Sequence, residues 1–474
     1  MSSRAISVVA RKEATLFVAV FRGCGRDDPR VVNGFTSAAC LLKHGALPRG
    51  IHRYKTSASS GLRIDWNDTV GVIAARYHTA MISRSSIFYF ILCLMVIPVV
   101  PAVAVQISPA ALDDIRNGKA GIEAAGIVIA MADAQGRLTT MAVGCARFDD
   151  AANGQRCASP LRPDSVMRVA SLAKLLIAAQ LHRRALSGAI DLEQDAGQYL
   201  SPLLRHPKFP ERNITVRQLL THTASLRDSG DDDEAHAPGT YFRYANANYI
   251  ALAQLIERVS GQRFDRVIGQ RELRGSYGSY GGFDWSLAST IAPSRIATLY
   301  RKQDAQGRWQ PGGPWRAQTD DFMGKAPDAV PLRNYRLGED TASLTPAGGL
   351  RASLPALVTW LSRLDTNVWD AMRTWPYIVR ADGVNGDSFG GSIQAIGAGA
   401  HAFHWSGVGQ VWGHFGAAYG LRAALLREPL SRRTWAYAIT GYGGDPDIGP
   451  RGVHGLDPVQ EAVLALLSTA SQQR

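Results

Sequence analysis

The chain has 474 residues, 46% hydrophobic and 19% charged, a balance that supports a buried core and excludes wholesale disorder. Its net charge of +12 is unevenly placed, with twelve Lys/Arg against five Asp/Glu in Met1–Ala80 and 40 against 35 in the remainder. No basic stripe and no alternation of aromatic with basic residues accompanies that charge, which argues against a nucleic-acid partner.

Residues 1–80 mix Gly, Arg and Ser without an amphipathic period and read as a disordered or non-native extension. Ile87–Val105 is the one long apolar run; it follows Met81 and Arg84, contains Pro98 and Pro101, and passes through Ala102-Val103-Ala104. A basic start, a short apolar core and a small-x-small end are the parts of a secretory signal peptide. Segment 81–104 is therefore expected to be a signal peptide cleaved near Ala104, with translation beginning at Met81. The alternative is an uncleaved membrane anchor through 87–105, since 19 apolar residues just span a bilayer. Either way the domain 105–474 is expected outside the inner membrane, periplasmic or secreted if cleaved. Of five cysteines only Cys145 and Cys157 remain in that domain. They could pair in an oxidising compartment or persist as two thiols.

Within the domain, Gly126–Phe148 reads as a hairpin turning at Asp133-Ala134-Gln135-Gly136. Ser171 opens SLAKLLIAAQLHRRAL, an apolar segment closed by Gly188 and expected to be a central, buried helix. Helices are predicted over Thr215–Thr223, Asn248–Ser260, Leu354–Leu364 and Pro458–Ala470. His414–Arg427 and Arg433–Gly441, separated by Glu428-Pro429, read as adjacent antiparallel strands. Little can be placed in the Gly-, Tyr-, Trp- and Pro-rich stretch 271–340. Strands at both ends with helices between imply an α+β fold: an antiparallel sheet built from the N- and C-terminal segments, flanked by helices, with an inserted mainly helical region.

Lysine is scarce, eight in all, and only Lys174 has a serine three positions before it. At helical spacing, residues i and i+3 share a face. Lys174 can then reach the Ser171 hydroxyl, and burial would make its neutral amine available as a base. A charge inside SLAKLLIAA needs such a reason. A helix start at Ser171 would add free N–H groups for a developing oxyanion.

RVASLAK (168–174) resembles the Ser-x-x-Lys element of serine β-lactamases and penicillin-binding proteins. Further segments resemble that superfamily in the right order. They are GAIDLEQDAGQYL (188–200), ITVRQLLTHTASL (214–226), PGTYFRYANANYIALAQLIERVSG (238–261), TPAGGLRASLPALVTWL (345–361) and GHFGAAYG (413–420). The resemblance implies that Ser171 attacks and carries the acyl group, that Lys174 and Tyr244 share proton transfer, and that Asn246 orients the lysine or the substrate amide. It implies an oxyanion hole from the backbone N–H groups of Ser171 and Ala417.

The third motif departs from the β-lactamase pattern. No lysine follows Lys325, so Lys-Thr-Gly cannot be present; His414-Phe415-Gly416 stands there instead. His-x-Gly in this slot resembles the esterase and D-aminopeptidase branches, and a neutral imidazole holds a carboxylate less well than a permanent cation. Ala224-Ser225 also replaces Ser-Gly after His222, a change expected to touch only loop shape.

Other patterns carry less. Gly386-Asp387-Ser388-Phe389-Gly390 matches a nucleophile elbow but lies in a glycine-rich context without strand or helix, and reads as a loop. His401 and His404 lack an acidic or cysteine partner nearby, so no metal site is expected, and no cofactor. Asp231–Glu234 reads as a solvated loop tip beside the cleft. The expected function is hydrolysis of an ester or amide through an acyl-enzyme, with a small molecule or peptide as substrate. The alternatives are a β-lactamase or D,D-carboxypeptidase acting on cell-wall peptides, and, from another class, a catalytically silent cell-wall-binding homologue.

Overall fold

The computed structural model describes residues 107–472 apart from 150–155, 201–203, 229–234, 274–282, 285–290, 319–333, 445–450 and positions 375, 388, 390 and 419, with three short strands upstream. The chain divides into two compact units, Met1–Pro101 and Ala102–Arg474. In the first, Ile6–Ala10, Leu16–Val20 and Val72–Ala75 pair antiparallel. The expected start at Met81, the apolar run Ile87–Val105 and the acidic run Asp231–Glu234 lie outside the described residues.

The second unit is built on a nine-stranded antiparallel sheet. Its strands are β1 (Gly126–Ala132), β2 (Leu138–Phe148), β3 (Cys157–Pro160), β4 (Tyr377–Ile378), β5 (Ala395–Ile396), β6 (His401–Trp405), β7 (Gly409–Ala418), β8 (Leu421–Arg427) and β9 (Thr434–Ile439). Their order is β4-β5-β6-β7-β8-β9-β1-β2-β3, so β9 from the C-terminal segment pairs with β1 from the N-terminal one. The expected closure of the sheet from both ends is what forms. The hairpin expected over Gly126–Phe148 is β1–β2, and the Glu428-Pro429 turn joins β8 to β9. The run His414–Arg427 is not one strand. It holds the end of β7, a turn and all of β8, because Gly420 takes a left-handed φ of +88° and reverses the chain.

Side chains alternate across a strand, and both faces of the central strands are covered. On β1, Val128, Ala130 and Ala132 join the core on one side, while Ile127, Ile129 and Met131 join the other. The first side carries α2 (Ala173–Leu186), α4 (Asn246–Ser260) and α6 (Leu354–Arg363); the second carries α1 (Pro109–Asp114) and α8 (Pro458–Gln472). Small residues on the first face, Ala130, Ala436 and Ala438, let α6 lie close against β1 and β9. The helical insert adds α3 (Val216–Leu220), α5 (Phe264–Arg271) and, later in the chain, α7 (Thr366–Arg373). Helix α3 opens on a capping box between Thr215 and Gln218. It ends sooner than predicted because His222 and Ser225 both adopt positive φ, which no helix continues. Where the family pattern has glycine, Ser225 stands at φ +61°.

Ser171 does not start the long helix. It sits on a 3-10 turn, Ala170–Leu172, ahead of α2, with Ala170 at φ +47°. That turn is tied down by a small sheet in which Arg351–Ala352 pairs with Met167–Arg168. Val169 N–H donates to Leu350 O at 2.9 Å in the same place.

Cys145 on β2 and Cys157 on β3 form a disulfide. It closes a loop of twelve residues' separation, which chain-entropy arithmetic values at about 3 kcal/mol. Replacing both cysteines with serine is expected to lower unfolding free energy by about that amount in urea melts. Reductant should do the same to the wild type and nothing further to the double variant, and activity per folded molecule should be unchanged.

Candidate active site

Lys174 lies on the first turn of α2 and is fully buried. Its Nζ stands 3.0 Å from Ser171 Oγ, 2.8 Å from Asn246 Oδ1 and 2.7 Å from Ala347 O. Burial pushes this amine down to about 7; Asp228 pulls it back up and Arg168 pushes it further down. A neutral amine is therefore accessible at physiological pH.

Tyr244 comes from the segment before α4, and its hydroxyl donates to Ser171 Oγ at 2.8 Å. Desolvation raises this phenol well above its usual range, so it is protonated in the resting site. The ring stacks on His222 with centroids 4.4 Å apart. His222 Nδ1 accepts from Ala245 N at 3.3 Å and Asn248 Nδ2 at 3.1 Å, which leaves the hydrogen on Nε2 and fixes the ring against Tyr244. Buried and with its pKa pushed well below the usual value, chiefly by desolvation, His222 acts as a neutral wall.

His414, Gly416 and Ala417 lie on β7 beyond the point where β6 stops pairing, at His401↔Gly413. Gly416 is needed for the approach of this strand to the serine turn. A Cβ there would stand 2.7 Å from Val169 O and 3.4 Å from Leu172 Cγ. His414 Nδ1 faces Phe415 O at 2.5 Å. A carbonyl only accepts, so Nδ1 carries the hydrogen. Burial holds the ring's pKa well below its usual value, with His401 and Lys174 adding to the effect. Nε2 is thus a bare acceptor, buried and without a hydrogen-bond partner. The third-motif slot carries no cation.

Ser171, Tyr244, His414, Gly416 and Ala417 share a cavity of about 540 Å³. Asn246 lies behind it, on Lys174 and Asp228, rather than among the lining residues. Sequence reasoning missed several contributors. Ala347 offers only a backbone carbonyl and has no side-chain signature. Asp228 accepts from Asn246 Nδ2 at 2.8 Å and from Ala247 N at 2.9 Å, and so caps α4, whose N-cap residue Ala245 has no side-chain acceptor. Arg422 and Arg451 also line the cavity, and both bond to Asp457, at 2.5 and 3.0 Å.

His401 and His404 fall on opposite faces of β6, one buried beside His414 and one exposed. Among the described residues no group of three or more His, Cys, Asp or Glu could hold a metal ion. The elbow-like stretch lies between β4 and β5, with Gly386 bridged to Phe242 and Phe389 lining the cavity. Ser388 lies outside the described residues.

A family model described as Beta-lactamase matches residues 106–457, and the chain belongs to the beta-lactamase family of serine hydrolases. Among curated proteins it resembles the D-alanyl-D-alanine-carboxypeptidase/endopeptidase AmpH of Escherichia coli strain K12, 26% identical over an alignment of 134 residues. That alignment covers 23% of this chain and 35% of the relative, so the chain matches only about a third of the relative's length. Among solved structures, D-amino acid amidase from Ochrobactrum anthropi SV3 superposes with a TM-score of 0.56 at 18% identity, covering 77% of this chain and 99% of that one. A beta-lactamase/D-alanine carboxypeptidase from Yersinia pestis gives 0.55 at 14% identity, over 77% and 98%. At these identities the superpositions establish the shared fold.

Gly416→Ala should push β7 off the serine turn, because the new methyl meets backbone rather than a mobile side-chain end. We expect the rate of covalent labelling of Ser171 to fall about 100-fold, the loss that a misplacement of about 1 Å produces, with circular dichroism unchanged.

Proposed function

We propose that this chain is an exported serine hydrolase that forms an acyl-enzyme on Ser171 and hydrolyses an amide or ester. The observation that carries the reading is a buried amine, pushed down to about 7, within 3.0 Å of a hydroxyl that also accepts from a phenol. Neutral Lys174 takes the Ser171 proton as Oγ bonds to the substrate carbonyl carbon. The oxyanion is held by the backbone N–H groups of Ser171 and Ala417. Collapse breaks the bond to the leaving group, which receives a proton from Tyr244, and Lys174 restores that proton. Water then repeats the cycle to release the acid. No step requires a cofactor.

Export is supported by the Cys145–Cys157 disulfide, which suits an oxidising compartment. No helix among the described residues is long and apolar enough to cross a membrane. Amides and short esters are favoured as substrates because His414 offers an acceptor where a carboxylate-holding cation would stand. The amide class also fits the D-amino acid amidase that shares the fold. A second reading, D,D-carboxypeptidase or β-lactamase action, is favoured by Arg422 and Arg451, two arginines that line the same cavity and could meet a carboxylate.

A fluorophosphonate should label wild-type protein and fail on Ser171→Ala; a label that persists, or one on Ser388, would sink the assignment, and no label at all would favour the silent homologue. Turnover of D-amino-acid amides and short esters, with little turnover of a chromogenic cephalosporin or D-alanyl-D-alanine peptides, is expected; the reverse order favours the second reading. The neutral amine is the active form and exists above the folded pKa. The labelling rate should therefore rise with pH to half its maximum at about 7. It should then stay level to about pH 9, because Tyr244, His222, His401 and His414 do not ionise in that range.

A further inference from the structure

We propose that Asp228 is a positioning residue that aims the lone pair of Lys174 at Ser171 by locking the amide of Asn246. The inference rests on the reading of Lys174 as the base. A neutral amine has two N–H groups and one lone pair, and Lys174 Nζ has three neighbours. Ala347 presents a carbonyl at 2.7 Å and can only accept. Asn246 could turn either end of its amide toward the lysine, so something must choose.

Asp228 makes that choice. Its Oδ1 accepts from Ala247 N at 2.9 Å and its Oδ2 from Asn246 Nδ2 at 2.8 Å. An ionised carboxylate has no hydrogen to give, so the NH₂ end of Asn246 must face it. The oxygen end is then left for Lys174, at 2.8 Å. Both amine hydrogens are taken by the two carbonyl oxygens, and the lone pair is left for the third neighbour, Ser171 Oγ at 3.0 Å. The serine hydroxyl donates to it while accepting from Tyr244. With the amide reversed, Asn246 Nδ2 would donate into that lone pair and turn it away from the nucleophile. The direction of the whole chain is therefore set by a side chain at the surface.

Asp228→Asn is the direct test. It keeps the size of the side chain and one oxygen for the Ala247 N–H, so the cap on α4 survives, but it offers Asn246 an NH₂ group and favours the reversed amide. The fluorophosphonate labelling rate should fall at least tenfold on its high-pH plateau, with the melting midpoint close to wild type. Loss of a negative charge that pulls the lysine upward should also move the acid limb to lower pH. The exchange variant Asp228→Asn/Asn246→Asp restores the sense of the chain: the amide placed at position 228 donates to the carboxylate placed at position 246, and that carboxylate accepts from Lys174. Its plateau should recover most of the loss, with the acid limb moved to higher pH by a carboxylate beside the amine. A role confined to capping the helix predicts no such rescue. An Asp228→Asn plateau within twofold of wild type, or an exchange variant no faster than the single one, overturns the inference. Either result with labelling still lost in Ser171→Ala leaves the nucleophile assignment standing; labelling retained in Ser171→Ala brings down that assignment instead.

Discussion

The burial of one amine organises this molecule. Lys174 sits in a helix whose residues from Ala173 to His182 are all buried, where an isolated ammonium would be strongly disfavoured. Its three oxygen neighbours come from the serine turn, the start of α4 and the loop before α6. The two carbonyl oxygens take the hydrogens of the neutral amine and the serine oxygen faces its lone pair, with no carboxylate in direct contact, and desolvation outweighs the more distant pull of Asp228. A directly paired carboxylate would stabilise the charged form and move the base's working range to higher pH. The site thus forgoes an ion pair in order to keep a reactive amine.

The rest of the fold can be understood as the means of bringing those three oxygens together. Pairing of Arg351–Ala352 with Met167–Arg168 draws the Ala347 carbonyl beside the serine turn, and Arg168 Nε adds a bond to Gly348 O at 2.9 Å. The β7 strand closes on the same turn only because Gly416 has no side chain. Left-handed backbone at Ala170 and His222 marks two places where the chain leaves a regular path beside the site. Such conformations cost of order 1 kcal/mol or more each and persist where the surrounding packing over-determines them. Both lie in this site.

Much of this was legible in the sequence. Lys174 was conspicuous because lysine is scarce and this one interrupts an apolar helix; Tyr244, Asn246, His414, Gly416 and Ala417 followed from motif order. Sheet closure was legible because β1 and β9 are apolar runs at opposite ends of the domain. The contributors that escaped notice act through groups without a residue signature. Ala347 uses its backbone, and Asp228 is one exposed acid among many until α4 is seen to begin at Ala245 with no cap of its own. The turn inside His414–Arg427 was hidden for a related reason: a single glycine after Tyr419 breaks no hydrophobic pattern, yet its left-handed φ splits the run into two strands.

The tautomer of His414 is what separates this site from one built around a lysine in the same slot. A lysine there is a permanent donor and places a positive charge beside the nucleophile, which draws a substrate carboxylate in. His414 spends its one hydrogen on Phe415 O and keeps a lone pair on its buried Nε2. Protonation could reverse that polarity, but burial, His401 and Lys174 all oppose a charge on the ring. A carboxylate arriving at Nε2 would meet an acceptor and find no hydrogen, whereas an amide N–H or an ammonium would supply the missing bond. Arg422 and Arg451, which also line the cavity, already share their charges with Asp457. On the proposed reading, substrate polarity would follow from these two features together: an acceptor on β7 that carries no hydrogen, and two arginines whose charge is already partly spent on Asp457.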